Sequence, residues 1–242
     1  MNLYSKFTSK NKKLALLIDP DKTSAVDAGK IAKKASENGF HFIFVGGSLV
    51  TEPIDELVKN IKLSCNIPVI LFPGSSLQVY PDADGILLLS LISGRNPEML
   101  IGKHVESAAL LKASKLEIIP TAYMLVDGGK PTSVSYISNT LPIPADKPDI
   151  AACTALAGEM LGLKLIYMDA GSGALNPVSS EMISKVKQET SLPLIIGGGI
   201  SDIRKAKNAL EAGADIIVTG NAIEKNPGLM SDIGSLMTGY RT

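Results

Sequence analysis

The chain has 242 residues, with 24 Lys and Arg against 24 Asp and Glu, and 45% of its residues are hydrophobic. This length suits one domain with a large core, and the balanced charge argues against the basic surface of a nucleic-acid-binding protein. No apolar run reaches the ~20 residues of a membrane span, and the polar N-terminal segment does not look like a signal peptide. We therefore expect a cytoplasmic protein with a single domain over residues 1–242.

Short apolar runs alternate along the chain with longer amphipathic segments. The apolar runs predict strands at 14–18, 40–45, 68–72, 85–89, 117–126, 164–169, 193–196 and 215–219. Helices are predicted at 24–38, 54–64, 97–113, 149–161, 179–190 and 202–212, with a last helix at the end of the chain. The connection 73–84 has little room for a crossover helix, so we expect a degenerate third βα unit, and 130–147 is expected to be irregular.

The predicted strands read as near-continuous apolar runs, which is typical of parallel strands covered on both faces. Parallel strands joined by helices form either a closed barrel or an open doubly wound sheet. The strand count of eight and a length near the usual ~250 residues favour the barrel. The glycine-rich turns come late in the chain, whereas an open dinucleotide-binding sheet has its glycine-rich turn after the first strand. The predicted fold class is therefore α/β, a (β/α)8 TIM barrel.

Glycine-rich loops follow the last three predicted strands, at 170–173, 197–199 and 220–221. In a TIM barrel these loops lie at the end that carries the active site. Glycine lets the backbone approach a phosphate closely, so that several N–H groups can converge on it. Each loop could instead be only a tight turn. Three such loops on one rim, with Ser172 and Asn221 as side-chain donors, predict a phosphate site.

Three charged side chains also follow strands on this rim. Asp19 comes after the first strand, opposite the glycine loops, where Mg²⁺ could lie between its carboxylate and an anion. Asp169 ends the sixth strand and could accept a proton from a substrate hydroxyl. Arg95 follows the fourth strand and could bind a second anionic group. The structural alternatives are a helix cap for Asp19, a turn cap for Asp169 and a surface position for Arg95.

Nine segments carry a family resemblance: LLIDPDK, FVGGS, ILFPGS, SGRNPEMLIGKH, PTAYMLVDGG, SYISNTLPIP, YMDAGSGA, IIGGGI and VTGNAIE. Together they resemble the geranylgeranylglyceryl phosphate synthases over nearly the whole chain. The pattern looks like the larger archaeal and Bacteroidetes-type branch. The shorter bacterial branch, which transfers a heptaprenyl group, has Lys two residues before the first Asp, where this chain has Leu17.

The resemblance implies a Mg²⁺-dependent prenyltransferase. It would move a geranylgeranyl or similar prenyl group from its diphosphate to the C3 hydroxyl of sn-glycerol 1-phosphate, forming an ether lipid precursor. The family usually associates, so we expect a homo-oligomer, with peripheral membrane contact through the lipid product. We also expect the prenyl tail to lie in an apolar groove that the degenerate third unit opens along the barrel side.

The resemblance also implies site residues. The glycerol phosphate site would consist of Tyr167, Met168, Asp169, Ala170, Gly171, Ser172, Gly173, Gly198, Gly199, Gly220 and Asn221. The Mg²⁺ ligands would be Asp19 and Ser48, and the catalytic residues Asp169 and Tyr167. Arg95 is the candidate for the diphosphate. Most archaeal members have Glu where this chain has Asp169, so the reach of this carboxylate differs.

Two other functions remain open from the residues alone. A phosphosugar isomerase would use Asp19 and Asp127, at the ends of strands one and five, as its acid and base. A non-catalytic barrel would bind a phosphorylated metabolite without turning it over. A Schiff-base aldolase is disfavoured, because Lys164 comes at the start of a strand rather than near its carboxyl end.

Overall fold

A computed structural model of the chain describes residues 2–240. Eight parallel strands form a closed barrel in chain order, so the predicted TIM barrel is confirmed. The strands are β1 (Lys13–Ile18), β2 (Phe42–Gly46), β3 (Val69–Phe72), β4 (Gly85–Leu91), β5 (Glu117–Leu125), β6 (Leu165–Asp169), β7 (Leu194–Gly197) and β8 (Ile216–Thr219). The domain predicted over 1–242 includes residues 1, 241 and 242, which lie outside the described residues, and this domain assignment stays a prediction.

Helices surround the barrel wherever a connection is long enough to hold one. They are α1 (Leu3–Thr8), α2 (Ala25–Glu37), α3 (Asp55–Ser64), α4 (Lys103–Ser114), α5 (Ser133–Ser138), α6 (Pro148–Met160), α7 (Ser180–Glu189), α8 (Ile203–Glu211), α9 (Asn221–Lys225) and α10 (Leu229–Leu236). A π-helical turn (Glu98–Gly102) precedes α4, and a 3-10 turn (Met237–Tyr240) follows α10. Residues 73–84 form turns and no helix, which confirms the degenerate third unit. None of the helices within 2–240 has the length and apolar character needed to cross a bilayer.

Side chains on each strand alternate between the barrel interior and the surrounding helices, as the period of two in a strand requires. On β6, Leu165 and Tyr167 belong to the interior cluster, whereas Ile166 and Met168 pack with the helix-facing cluster. Continuing the alternation, Asp169 is the last inward position of its strand. The fold therefore presents this carboxylate at the upper rim of the barrel, where TIM-barrel active sites form.

The floor of the barrel is closed by α1, which the sequence analysis did not predict. The carboxylate of Glu117 accepts hydrogen bonds from the backbone N–H groups of Leu3 and Tyr4, both at 2.6 Å. The ring of Phe7 stacks on that of Phe42, with centroids 4.4 Å apart. So short a helix has little stability of its own. These contacts with the barrel stabilise it, and they cannot be read from local sequence.

Candidate active site

The upper rim joins residues of three predicted site loops through hydrogen bonds. The carboxylate Oδ2 of Asp19 lies 2.6 Å from Lys22 Nζ. The same Nζ donates to Asn221 Oδ1 at 3.4 Å, and Asn221 Nδ2 donates to Ser172 Oγ at 2.6 Å. The predicted metal ligand after β1 is therefore linked to the predicted phosphate loops after β6 and β8.

Asp19 is not the helix cap that was its structural alternative. The N-cap of α2 is Ser24, whose side chain accepts a backbone hydrogen bond within the first turn. The carboxyl of Asp19 lies instead beside the loop after β2, since a Cβ placed on Gly47 would be 3.7 Å from it. Ser48 follows Gly47 directly, so the two proposed metal ligands belong to adjoining loops on one rim.

A neighbouring carboxylate, which the sequence analysis did not assign, fixes the loop that carries Asp19. Asp21 accepts hydrogen bonds from the backbone N–H groups of Thr51 and Glu52, both at 2.9 Å. These bonds to the ionised form lower the pKa of Asp21. The loop after β1 is thereby held against the loop after β2, and Asp19 is held at their junction.

Asp169 is buried, with 9% of its surface exposed, and both carboxylate oxygens accept hydrogen bonds. Tyr123 donates its hydroxyl to Oδ2 at 2.7 Å, and the Gly171 backbone N–H donates to Oδ1 at 2.7 Å. Burial raises the pKa of Asp169, and the two hydrogen bonds oppose that rise. The carboxylate thus caps its turn, as the structural alternative proposed. It is also a fixed proton acceptor of raised basicity.

Tyr167 occupies the inward position directly below Asp169 and is fully buried. Its ring packs against those of Phe72 and Tyr123, with centroid distances of 5.3 and 5.5 Å. Burial, and then the charge of Asp169, raise the pKa of Tyr167 well above its ordinary value. The phenol therefore keeps its proton near neutral pH and can act as a hydrogen-bond donor. Asp169 is left as the proton acceptor of this pair.

The loops 170–173, 197–199 and 220–221 form the predicted phosphate site, called here the phosphate cradle. Within it, Gly171, Gly173, Gly198 and Gly199 have φ values of +88°, +72°, +76° and +70°, which favour glycine. A Cβ on Gly198 would lie 2.6 Å from both Asp169 Oδ1 and the backbone nitrogen of Gly171. The loops after β6 and β7 therefore approach so closely that only glycine fits between them.

Two lysines that the sequence analysis did not assign lie beside the phosphate cradle. Lys22 reaches Asn221, as described above. Lys130, in the loop after β5, has its Nζ 3.9 Å from the position of a Cβ on Gly173. An anion in the cradle would therefore lie near two ammonium groups, which adds charge attraction to the backbone N–H groups.

An apolar groove begins at Ser48 on the rim and runs along the outer side of β4, where the third unit has no helix. It encloses about 840 Å³ including its open mouth. Its lining includes Ser48, Ile86, Leu88, Met99, Ser107 and Leu111. Met99 lies on the π-helical turn, and the other wall is formed by α4. The groove thus connects the rim near Asp19 with the barrel side.

For three residues that the sequence singled out as functional, the structure gives less support for a role in the site. Arg95 is exposed and its Nη1 donates to the Gly94 carbonyl at 2.9 Å, so its described contacts are within its own loop. Its role with a diphosphate stays a prediction. The side chain of Met168 packs under the helices, so Met168 can face the site only through its backbone. Asp127 is exposed and accepts a hydrogen bond from the Gly129 N–H at 2.8 Å.

The rim offers oxygen ligands for a hard cation, although the described part of the chain gathers no group of three or more His, Cys, Asp or Glu side chains for a metal. Mg²⁺ is usually held by one or two carboxylates together with substrate phosphates and water. Asp19 supplies one carboxylate and Ser48 a hydroxyl beside the groove mouth. The Lys22 ammonium, 2.6 Å from Asp19, occupies the kind of position that a cation would take. The residues present therefore fit Mg²⁺ in company with a diphosphate.

Comparisons with known proteins identify the family. The model of the PcrB family matches residues 7–236. The chain belongs to the PcrB family. A geranylgeranylglyceryl phosphate synthase of Chitinophaga pinensis is 57% identical over 223 residues, which are 92% of this chain and 88% of that protein. One from Thermococcus gammatolerans is 46% identical over 212 residues, 87% of this chain and 83% of that protein.

A solved structure extends this similarity to the whole fold. It is the (S)-3-O-geranylgeranylglyceryl phosphate synthase of Thermoplasma acidophilum in complex with its substrate sn-glycerol-1-phosphate. The two chains share 35% identity and a TM-score of 0.94, over 99% of each. The resemblance seen in the sequence is thereby confirmed. The isomerase alternative that used Asp127 is not supported by any of these relatives.

Proposed function

We propose that this PcrB-family chain transfers a geranylgeranyl or similar prenyl group from its diphosphate to the C3 hydroxyl of sn-glycerol 1-phosphate. The observation that carries the proposal is a rim that joins Asp19 to the phosphate cradle. With a metal on Asp19, these would be two anion subsites, the first at Asp19 and the second in the cradle. An apolar groove leads away from the first subsite, and a buried carboxylate stands beside the second. A small phosphorylated alcohol suits the cradle, and a diphosphate with a long apolar tail suits Asp19 and the groove.

On the acceptor side, the phosphate cradle binds the phosphate and fixes the glycerol beside Asp169. Tyr167 donates a hydrogen bond to the acceptor, because its raised pKa keeps the phenol protonated. Asp169 accepts the proton of the C3 hydroxyl as that oxygen attacks the allylic carbon. The hydroxyl oxygen, held at a fixed angle and distance, thus competes well against water as the nucleophile.

On the donor side, Asp19 and Ser48 would hold Mg²⁺ for the diphosphate of the prenyl substrate. When bound, Mg²⁺ neutralises the negative charge that grows on the diphosphate as the allylic C–O bond breaks. The groove binds the tail and excludes water from the allylic carbon. The bond between carbon and diphosphate breaks, an ether bond to glycerol forms, and the hydroxyl proton passes to Asp169.

The proposed function is tested by incubating the protein with labelled sn-glycerol 1-phosphate, Mg²⁺ and prenyl diphosphates of increasing length, followed by extraction of labelled lipid. We expect transfer from at least one diphosphate, and loss of transfer when EDTA removes the metal. The stereoisomer sn-glycerol 3-phosphate is the matched control. Absence of transfer from every diphosphate would overturn the proposal, and full transfer in EDTA would overturn its metal part.

Replacement of a small groove residue should shorten the accepted prenyl chain. Ser107 is buried on α4 and lines the groove, so Ser107→Phe places a ring in the path of the tail. We expect kcat/KM for the longest accepted diphosphate to fall at least about tenfold, a loss of about 1.4 kcal/mol, with short diphosphates much less affected. Ala108→Phe, on the exposed side of the same helix, is the control. Unchanged chain preference in Ser107→Phe would place the tail elsewhere.

Location and assembly complete the proposal. The chain acts in the cytoplasm as a homo-oligomer, and it contacts membranes peripherally when it releases its lipid product. Exposed apolar side chains on the outer face of the π-helical turn and α4, including Ile101 and Val105, are compatible with an apolar partner surface. Size-exclusion chromatography with light scattering tests the homo-oligomer. Vesicle sedimentation tests the membrane contact.

A further inference from the structure

Lys22 lies between the two anion subsites and contacts both. Its Nζ is 2.6 Å from Asp19 Oδ2 and 3.4 Å from Asn221 Oδ1. Asn221 is in turn bonded to Ser172 in the loop after β6, at 2.6 Å. About half of the Lys22 side chain is exposed, against 19% for Asp19. The ammonium therefore has open space around it, whereas the carboxylate it faces is more enclosed.

The single Lys22 ammonium cannot lie against both the Asp19 carboxylate and a phosphate in the cradle at once. In the metal-free protein, the short ion pair with Asp19 holds Lys22 towards the loop after β1. A divalent cation on Asp19 would bring two positive charges to the same carboxylate, and it would repel the ammonium. The flexible four-carbon stem lets Nζ move by a few ångströms towards Asn221 at low cost. That movement carries a positive charge to the phosphate cradle.

We propose that Lys22 is a positioning residue that couples the two subsites. Binding of a divalent metal at Asp19 releases the Lys22 ammonium to the phosphate held by Asn221 and Ser172, and so raises the affinity for glycerol phosphate. Because coupling between two binding sites is reciprocal, glycerol phosphate raises the affinity for the metal equally. The acceptor alcohol is then bound most tightly when the metal that the donor requires is in place. This inference rests on the proposed function, since it takes its two ligands from it.

Calorimetric titration of sn-glycerol 1-phosphate into the full chain tests the coupling. The titration is run without metal, and again with saturating Mg²⁺. We expect Kd for wild-type protein to fall at least about fivefold in the second condition, the lower end of usual coupling between sites. In Lys22→Met, Kd should be weak and equal in both conditions, and Lys22→Arg should restore part of the difference.

Lys30→Met is the matched control, since Lys30 also pairs with an aspartate three residues away, at 2.8 Å from Asp27, on the outer surface of α2. This variant should keep the wild-type ratio. A second readout is Mn²⁺ binding by electron paramagnetic resonance. Lys22→Met should bind Mn²⁺ more tightly than wild type, because the competing ammonium is gone.

The outcomes separate this inference from the proposed function. Wild-type binding of sn-glycerol 1-phosphate with equal Kd in both conditions would overturn the coupling alone, as would a wild-type ratio in Lys22→Met. Unchanged Mn²⁺ affinity in Lys22→Met would also count against it. Failure of wild-type protein to bind sn-glycerol 1-phosphate in either condition would overturn the proposed function and the coupling together.

Discussion

Asp169→Asn is expected to lower kcat by about 10²–10⁴-fold, the usual contribution of a positioned proton acceptor. The substitution keeps the size of the side chain but removes its ability to take the proton of the C3 hydroxyl. The affinity for sn-glycerol 1-phosphate, measured by calorimetry, should change much less, because the cradle glycines bind the phosphate. Single-turnover kinetics with the preferred prenyl diphosphate would measure the chemical step directly.

The pH dependence gives a second measure of the same group. Burial raises the pKa of Asp169, so activity should be lost as the pH falls through a value above the ordinary range for aspartate. In the wild-type protein, the hydrogen bond from Tyr123 to Oδ2 lowers the pKa of Asp169. Tyr123→Phe removes this hydrogen bond. The acid limb of kcat should therefore move to higher pH in Tyr123→Phe. An Asp169→Asn variant with kcat close to wild type would assign the proton to another acceptor.

Burial of the ionised Asp169 carboxylate also affects the stability of the folded protein. Because the folded-state pKa of Asp169 is raised, ionisation at neutral pH opposes folding, and this cost disappears when the pH falls below the pKa of the unfolded chain. Asp169→Asn removes the cost at pH 7. Its Tm should then be no lower than that of wild type, so that lost activity cannot be attributed to unfolding.

The barrel itself follows from the sequence because parallel strands buried on both faces are apolar throughout. Eight such runs, each ending in polar or glycine residues, are enough to predict the strand order. The elements that escaped prediction are those whose stability is tertiary. Helix α1 depends on Glu117 and Phe42, and α5 is a single short helix inside a segment rich in Pro, Ser and Asn. Neither gives a periodic signal of usable length.

The site residues also fall into two groups, those that the sequence predicts and those that depend on tertiary structure. The glycine loops, Asp19 and Asp169 were predictable because each comes directly after a strand, and the rim of a barrel collects strand ends. Tyr123 was not predictable as a site residue, because it lies within the apolar run of β5. Its hydroxyl meets Asp169 because β5 and β6 pair Tyr123 with Tyr167 and Leu125 with Asp169. That register, like the contact between Lys22 and Asn221, is a product of the closed barrel.

Gly198→Ala is expected to raise the Kd for sn-glycerol 1-phosphate by about 100-fold or more. The added Cβ would lie 2.6 Å from Asp169 Oδ1, 2.6 Å from the Gly171 nitrogen and 2.7 Å from the Ala170 nitrogen. These are backbone atoms and a fixed carboxylate, so the loops after β6 and β7 must separate. Each hydrogen bond to a charged phosphate is worth about 1.5–3 kcal/mol. Loss of one or two such bonds gives the expected change.

Backbone strain alone must be separated from this effect, since Gly198 has φ +76° and alanine is disfavoured there by about 1–2 kcal/mol. Gly162→Ala is the matched control, because Gly162 has φ +83° and a Cβ on it would meet nothing within 4 Å. Gly162 also precedes β6, at the opposite end of the barrel from the rim. We expect both variants to lose thermal stability, whereas only Gly198→Ala should lose affinity for sn-glycerol 1-phosphate. Equal affinity in the two variants would show that the phosphate does not bind between the loops after β6 and β7.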